Sequence, residues 1–588
     1  MSNQKNPGEK SILLLLCLSG VLLILIFSIF LLASVPPVDR DALTHHLAVP
    51  KLYLKHGGIH EIPQVPFSYY PMNLDLLYLI PLYFGNDIVP KYIHFTFALL
   101  TAGLIFAYLR RKLDSLFYAL LGGLLFLSLP IIIKLSVTVY VDLGLIFFST
   151  ASLLQLLRWS ETNFRLRHLV LAGIFAGLCL GTKPNGMLAV FLLALTIPFL
   201  YRRAAGGQAG LPKELSLRDN SGRRALKSLG WAGLFAAVAM MVFCPWMIRN
   251  YSWTGNPVFP MAQNIFGPSS STASNPGTTG GDGAAGTESE ESHPKGDSGF
   301  GHFAVRKLIF GESLLEILAI PVRIFIQGQD DNPRLFDGRL NPYLLIFPLV
   351  AVFGFKRRGR SPRDGLEIGV VGLFAFLYLL FAFFLVDMRI RYIGPIIPPL
   401  AILAVFGLHD LVGIIRSRFS VWGQSLGLGA VGGILLVLIG LNAAYLVTQF
   451  SIIDPMSYLQ GRLSREEYIQ KYRPEYAAIS FANQHLPEEA RILSLFNGNR
   501  IYYSDRDMIS GNEMFRQAVR VSQTSAELIR RLQQTGISYL LVRMDLFNQW
   551  ADRQFKPAEK SLLQSFFGEK LLPMYQGQGY ALFGMTGG

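Results

Sequence analysis

Cysteine and charge are both scarce in this chain. The three cysteines, Cys17, Cys179 and Cys244, each lie inside an apolar run. They fit no metal-ligand spacing and no disulfide framework, which excludes a zinc module and a small disulfide-built scaffold. Asp, Glu, Lys and Arg together make up only 16% of 588 residues, while 51% are hydrophobic. A soluble chain of this length needs more charge to cover its surface. Acids are the scarcer sign: 39 against 53 bases, a formal net charge of +14. In a soluble protein that excess would raise nucleic acid as a partner. Here the bases fall mainly in short loops between apolar runs, so no nucleic-acid partner is expected. The chain has no repeat of short period and no Asp-rich cage for a metal.

What it has is apolar length. Runs lie near 11–33, 91–109, 116–133, 142–158, 168–182, 186–201, 229–247, 341–355, 366–386, 392–414 and 424–448, eleven in all. A helix crosses a bilayer with about 17–25 such residues. The first run follows a basic stretch and has the outline of a signal peptide. At about 23 residues it exceeds a signal h-region, so it is expected to remain as the first span. The run 74–85 is short and broken by Pro81, which predicts a helix lying along the interface rather than a span.

The distribution of bases tests that parity. With a cytoplasmic N-terminus and 74–85 not crossing, cytoplasmic loops carry Arg110–Lys112, Arg158, Arg165 and Arg167, seven Lys or Arg between 202 and 227, 356–360 with Arg363, and Arg416 with Arg418. The opposite loops carry only Lys134, Lys183, Arg249, Arg389 and Arg391. This is the positive-inside pattern, and counting 74–85 as a span would invert it. Two large segments then fall outside the cytoplasm. In the loop 248–340, residues 267–299 are almost free of apolar side chains and are expected to be disordered. Residues 302–327 alternate apolar and basic and could lie along the interface. Residues 450–588 mix helix-like stretches (SREEYIQKYRPEYAAISFANQHL, TSAELIRRLQQTG) with strand-like ones (RILSLF, RIYYS, ISYLLVRM, GYALFGM). The expected organisation is a mainly α, polytopic membrane domain over 1–449 and a small extracytoplasmic α/β domain over 450–588.

Titratable residues collect at the non-cytoplasmic ends of the spans. Asp39 and Asp41 follow the first span, within SVPPVDRDALTHHLAVPKLYLKHGG; Asp142 opens a later one. Lys183 follows Gly-Thr, Arg249 follows Pro-Trp-Met-Ile, and Arg389 and Arg391 precede the Pro-rich run at 392–414. Each has a plain structural reading: a lysine or arginine can anchor a helix end at the interface, and an aspartate can cap a helix. His45 and His46 are neighbours and would point apart on a helix, so one metal between them is not expected. His45 lies four residues after Asp41 and could orient it, or be structural. As a set, acids and bases on one face suggest a site for an anionic substrate.

The set also has an order. RDALTHHLAVPKLYLKHGG, YYPMNLDLLY, VDLGLIFF, GTKPNG, PWMIRN and RYIGPIIPPLAIL, with eleven spans and an outer C-terminal domain, resemble the GT-C membrane glycosyltransferases. The similarity covers most of 11–450. It is narrowest to the glycosyltransferase family 39-like group, the bacterial relatives of protein O-mannosyltransferases and aminoarabinose transferases. Two departures stand out: Ala42 follows Asp41 where the family often has a second acid, and Tyr70 precedes Pro71 where a base is usual. The resemblance implies a GT-C fold of about eleven spans with juxtamembrane helices in the bacterial cytoplasmic membrane. It also implies inverting transfer of a sugar from a polyprenyl-phosphate donor to a hydroxyl of a lipid, glycan or protein acceptor. Asp41 would be the general base, with Asp39 in reserve and Asp142 beside it. Lys183, Arg249 and Arg391, with Arg389 less central, would hold the donor phosphate, supported by His45 and Tyr392. No cofactor is certain, and a divalent ion bridging Asp41, Asp142 and phosphate stays an open alternative without support in the residues. An oligosaccharide ligase or polymerase of the same superfamily would share this chemistry. A lipid-linked sugar transporter would instead show half-sequence symmetry and charges at the bilayer midplane, and a non-catalytic scaffold would not need the acid and cation set.

Overall fold

The apolar runs fold as helices in this computed structural model, which describes residues 7–207, 221–266, 302–354 and 362–585. The stretch 267–299, expected to be disordered, lies outside the described residues. In chain order the first nine α-helices are α1 (Pro7–Ala33), α2 (Ala48–Lys55), α3 (Asn73–Tyr83), α4 (Val89–Leu113), α5 (Leu116–Leu127), α6 (Pro130–Ser136), α7 (Asp142–Glu161), α8 (Leu166–Leu180) and α9 (Gly186–Gly207). Among the described residues, seven helical stretches are long and apolar enough to cross a membrane alone: Ile12–Ala33, Val89–Leu113, Asp142–Glu161, Gly222–Thr254, Asp364–Leu385, Ile390–Arg418 and Val421–Ile453. The pair α5 and α6 passes together with a 67° bend, where Pro130 opens α6 without an N–H to continue the ladder. Three shorter apolar helices are Leu166–Leu180, Gly186–Arg202 and Tyr343–Gly354. These segments coincide with the eleven apolar runs. The chain is a multi-pass membrane protein. Helix α3 has 11 residues, about 16 Å of rise, too short to cross.

Small residues let the helices close on one another, as is usual where lipid supplies no hydrophobic drive between them. At Gly407, on the helix Ile397–Arg418, an added Cβ would lie 1.9 Å from the Phe347 carbonyl oxygen of the helix Tyr343–Gly354. Gly181, just past α8, leaves room for the Asn73 side chain, whose Nδ2 would sit 2.2 Å from a Cβ there. That contact brings the start of α3 against the end of α8: the Asn73 N–H donates to the Gly181 carbonyl (2.9 Å), and Trp246 Nε1 donates to Asn73 Oδ1 (2.8 Å).

The segment 302–327 forms three short helices, His302–Leu308, Leu314–Leu318 and Ile320–Arg323. Buried Glu312 accepts from Arg306 (3.2 Å) and Arg323 (3.0 Å), while Leu308, Leu314, Leu315, Leu318 and Val322 are exposed.

After the last span the chain builds a five-stranded sheet: β1 (Arg491–Leu495), β2 (Asp507–Ser510), β3 (Tyr539–Arg543), β4 (Leu571–Gly577) and β5 (Tyr580–Met585), in the order β2-β1-β3-β5-β4. The β2, β1 and β3 strands run parallel; β5 joins β3, and β4 joins β5, antiparallel. Alternation sends Leu493, Leu495, Leu540 and Val542 to one face, against Phe515, Val519, Leu528 and Phe566. Ile492, Leu541 and Leu582 go to the other, against Ala478, Ile479 and Ala482. A sheet covered by helices on both faces explains why β1 and β3 read as nearly continuous apolar runs. The stretch 500–504, expected as a strand, is a turn instead: its backbone bonds to the first loop, and Tyr502 joins the core of the membrane domain. The strands β2 and β4 were not expected; both carry polar residues or proline that mask the pattern.

Gly407→Ala is expected to cost about 1–3 kcal/mol through overpacking, read as a lower unfolding temperature in detergent. An unchanged temperature would show that the two helices are free to separate there.

Candidate active site

Chain ends of several spans meet at one end of the bundle. Asp41 lies on the loop between α1 and α2, in helical backbone just before a π-turn, Ala42–His46. Arg391 lies in a 3-10 segment, Ile390–Ile396, that leads into the helix Ile397–Arg418. Its Nη1 donates to Asp41 Oδ2 at 2.6 Å. Beside this pair, Lys183 Nζ donates to Asp142 Oδ1 at 2.7 Å. Two tyrosine rings tie the pairs together: Arg391 stands 5.5 Å from the Tyr140 ring centroid and 5.2 Å from that of Tyr392, and Lys183 stands 5.3 Å from that of Tyr392. Such cation–π contacts favour a desolvated cation.

Local structure explains each placement. The first N–H groups of α7 lack intrahelical partners. One of them, Leu143 N–H, donates to His94 Nε2 (3.0 Å), and the helix start places Asp142 where a negative charge is favoured. The Tyr78 hydroxyl donates to the Tyr140 carbonyl, so α3 fixes the turn before α7. Lys183 follows Gly181, where Asn73 docks.

The two aspartates near the first span have opposite environments. Burial raises the Asp41 carboxyl, but the Arg391 guanidinium, aided by His45 and His46, outweighs it and holds the group well below the ordinary range. Asp39 is raised, because burial outweighs the more distant cations Lys91, Arg473 and Lys134. Lys91 is itself buried and donates to the carbonyls of Val35 (2.9 Å) and Pro36 (3.4 Å).

The structure brings Asp41, Asp142, Lys183, Arg391 and Tyr392 together, while three expected residues, Arg249, Arg389 and His45, make their hydrogen bonds with other partners, Arg389 still standing 5.9 Å from the Tyr392 ring centroid. Arg249 makes its hydrogen bonds to residues outside this cluster. It donates to the carbonyls of Tyr69 (2.7 Å) and Tyr70 (3.1 Å) and to Asn250 Oδ1 (2.8 Å), between the rings of Trp246 and Trp253. The missing base before Pro71 is thus matched by an arginine that grips the same turn from another helix. Arg389 is fully buried and donates to Asp387 Oδ2 (2.9 Å), with Asp337 at 3.8 Å. His45 does not hold Asp41: its Nδ1 bonds Thr44 Oγ1 (2.8 Å) and its ring stacks on Phe67 (4.4 Å). The wider π-turn defeats the four-residue spacing, which assumes an α-helix. Burial, then His46, pushes His45 well below its usual value. His46 instead bonds Asp75 (2.6 Å), both buried. Sequence reasoning missed Tyr140, His46 with Asp75, and Lys91. The signal for Tyr140 was its place two residues before Asp142. Among the described residues, no group of three or more His, Cys, Asp or Glu is placed to hold a metal ion.

A bundle of this kind, with a charged site at one end and a small sheet domain beyond the last span, is the GT-C fold. Along 97% of both chains, the structure aligns with apo ArnT from Cupriavidus metallidurans at 14% identity and a TM-score of 0.53. The same protein bound to undecaprenyl phosphate aligns over the same shares at 14% identity and 0.54. The oligosaccharyltransferase AglB from Archaeoglobus fulgidus, in complex with an inhibitory peptide and a dolichol-phosphate, aligns over 97% of this chain and 74% of its own at 13% identity and 0.48. No curated protein sequence matches the chain. Residues 64–254 match the model of the family described as dolichyl-phosphate-mannose-protein mannosyltransferase. That match spans about a third of the chain, and over its whole length the structure shares the fold of ArnT.

The opposite shifts of the two acids separate their roles in folding. Asp41 is depressed, so its ionised form stabilises the fold above about pH 4, and that contribution fades as pH falls towards its lowered folded value. Asp39 is raised, so its ionisation opposes folding as pH rises through its folded value. At pH 7, thermal unfolding in detergent is expected to show Asp41→Asn destabilised and Asp39→Asn equal to or above the parent. A loss of the same size in both would contradict the assignment.

Proposed function

We propose that the protein is an inverting glycosyltransferase that moves a sugar from a polyprenyl-phosphate donor to an acceptor hydroxyl at the outer face of the bacterial cytoplasmic membrane. The N-terminus is cytoplasmic on this reading, and the C-terminal domain, about 450–588, is extracytoplasmic. The observation that carries it is the pair of ion pairs, Asp41–Arg391 and Asp142–Lys183, sharing the Tyr392 ring at one end of an apolar bundle. Transfer from a lipid phosphate needs a base for the acceptor proton and fixed cations for the leaving phosphate. This site has both within one cluster. Support also comes from the family match, whose name specifies a polyprenyl-phosphate sugar, and from the ArnT structure that holds undecaprenyl phosphate.

In the resting site Asp41 is a poor base, because Arg391 stabilises its carboxylate. The donor changes this. Its tetrahedral phosphate offers Arg391 two acceptor oxygens at a spacing that suits the planar guanidinium fork, while Lys183 meets it as a point charge. As Arg391 turns to phosphate, Asp41 loses its counter-ion and regains basicity beside the acceptor. The hydroxyl proton passes to Asp41 as the new glycosidic bond forms and the bond to phosphate breaks, on the face opposite the leaving group. Lys183 and Arg391 take the developing phosphate charge. Arg249 and Arg389 hold the walls, and Asp142 keeps Lys183 in place.

With purified protein in lipid vesicles, Asp41→Asn is expected to lower sugar transfer by about 10²–10⁴-fold. Lys183→Ala is expected to lose about 10²–10³-fold and to weaken donor binding. Full activity of Asp41→Asn would remove the base assignment. Donor binding unchanged in both Lys183→Ala and Arg391→Ala would remove the site.

A further inference from the structure

The segment from Val35 to Leu43 carries Asp39 and Asp41 and cannot hold its own shape. Pro36 and Pro37 lack N–H groups, and the carbonyls there must find donors elsewhere. From the membrane domain, Lys91 supplies Val35 and Pro36. The other donors come from the far end of the chain. The Tyr503 hydroxyl donates to the Pro37 carbonyl (2.7 Å), and the N–H groups of Ile501 and Tyr502 both donate to the Leu43 carbonyl (3.2 and 3.1 Å). The contact is reciprocal. Lys51 Nζ, on α2, donates to the carbonyls of Tyr502 (2.9 Å) and Ser504 (3.0 Å) and to Asp505 Oδ1 (2.8 Å). Buried Asp87 accepts from Arg465 (2.6 Å) and from the Tyr502 hydroxyl (3.2 Å). Residues about 450 positions apart therefore share one hydrogen-bonded seam, and it brackets Asp41 on both sides, at Pro37 and at Leu43.

We propose that the turn Arg500–Asp505 of the C-terminal domain is the clamp that holds the Asp41 loop in register at the site, both while Asp41 faces Arg391 and after the donor takes that arginine, with Tyr503 as its positioning residue. The inference rests on Asp41 being the base. It gives the C-terminal domain a part in the reaction: it touches no reacting atom, yet it fixes the loop that does. Proteins that act this way lose rate from small displacements, because general-base transfer tolerates little misalignment.

The groups facing Asp41 are Arg391, His45, His46, Tyr140 and Asp39. Loosening the loop weakens its hold on Arg391 first. Asp41 then rises towards the ordinary carboxylate value, and the acid limb of kcat/KM moves to higher pH.

The test is Tyr503→Phe in the full chain in lipid vesicles, which keeps the ring and removes one donor. The expected result is a fall in kcat of about 5- to 30-fold, the size of one or two kcal/mol. KM for the donor should hold, and the acid limb should shift upward. Lys51→Met opens the seam from the other side. The two changes together should cost less than the product of their separate effects, since both act through one contact. Lys560→Ala, which removes a surface ion pair with Asp552 elsewhere in the domain, should leave kcat and the acid limb unchanged. A merely structural loss would lower the yield of active protein and leave the limb where it was, which would overturn the proposal. Wild-type kcat and limb in Tyr503→Phe, with Asp41→Asn inactive, would overturn the clamp alone. Full activity in Asp41→Asn would instead overturn the base on which it rests.

Discussion

Burying a charge without a partner costs several kcal/mol, and the upper end of this bundle is organised around avoiding that cost. Asp41 and Arg391, 350 residues apart, meet at 2.6 Å. Asp142 meets Lys183. Arg389 meets Asp387, and Lys91 donates to the carbonyls of Val35 and Pro36 with Asp39 and Asp87 nearby. The Asp41–Arg391 and Asp142–Lys183 pairs each tie the end of one span to another element, so the electrostatics also fix how the spans end relative to each other. A loop placed without these pairs would leave a formal charge in a low-dielectric crevice. The helices supply length and apolar surface; the pairs decide register.

The same pairing makes the site responsive. Two acid–base pairs are neutral as they stand. On the proposed reading, a phosphate entering between Lys183 and Arg391 needs no new cations brought from water; it draws Arg391 from Asp41 and meets Lys183 where Asp142 holds it. On the proposed reading, the desolvation of both cations is already complete before the donor arrives, which is the physical content of preorganisation. The aromatic rings of Tyr140 and Tyr392 keep the guanidinium in place while its partner changes, since a cation–π contact persists whichever anion lies at the edge.

Most of the bundle was legible because span length and loop charge are one-dimensional signals. Eleven runs and the exclusion of α3 follow from counting apolar residues and locating Pro81. The convergence of Asp41, Asp142, Lys183 and Arg391 could be suspected from their shared side of the membrane. Their pairing could not, because it depends on which span ends touch. Arg249 shows the limit: beside Trp246 and Asn250 it reads as another phosphate ligand, and its Nη2 instead donates to the Tyr69 and Tyr70 carbonyls. His45 failed for a local reason, the π-turn at Ala42–His46, which no residue pattern announces. In the C-terminal domain, the tyrosine-rich stretch 500–504 has strand composition but pairs with a loop 450 residues away in sequence, beyond any local rule.

The two aspartates of the first loop make the final distinction. They lie two residues apart, and in an extended segment both would face the same way. The chain turns helical between them: Asp39 is still outside regular structure, and Asp41 already has helical backbone angles (φ −64°, ψ −33°). That one change of conformation sends Asp41 to Arg391 and leaves Asp39 near Lys91 and Arg473, with no carboxylate–cation hydrogen bond to lower it. Composition treats the pair as equivalent, whereas the turn makes one a held, ionised group and the other a buried, reluctant one. Because the Pro37 and Leu43 carbonyls on either side of that turn accept from Tyr503, Ile501 and Tyr502, the conformation that separates the two acids depends on contacts from beyond the last span.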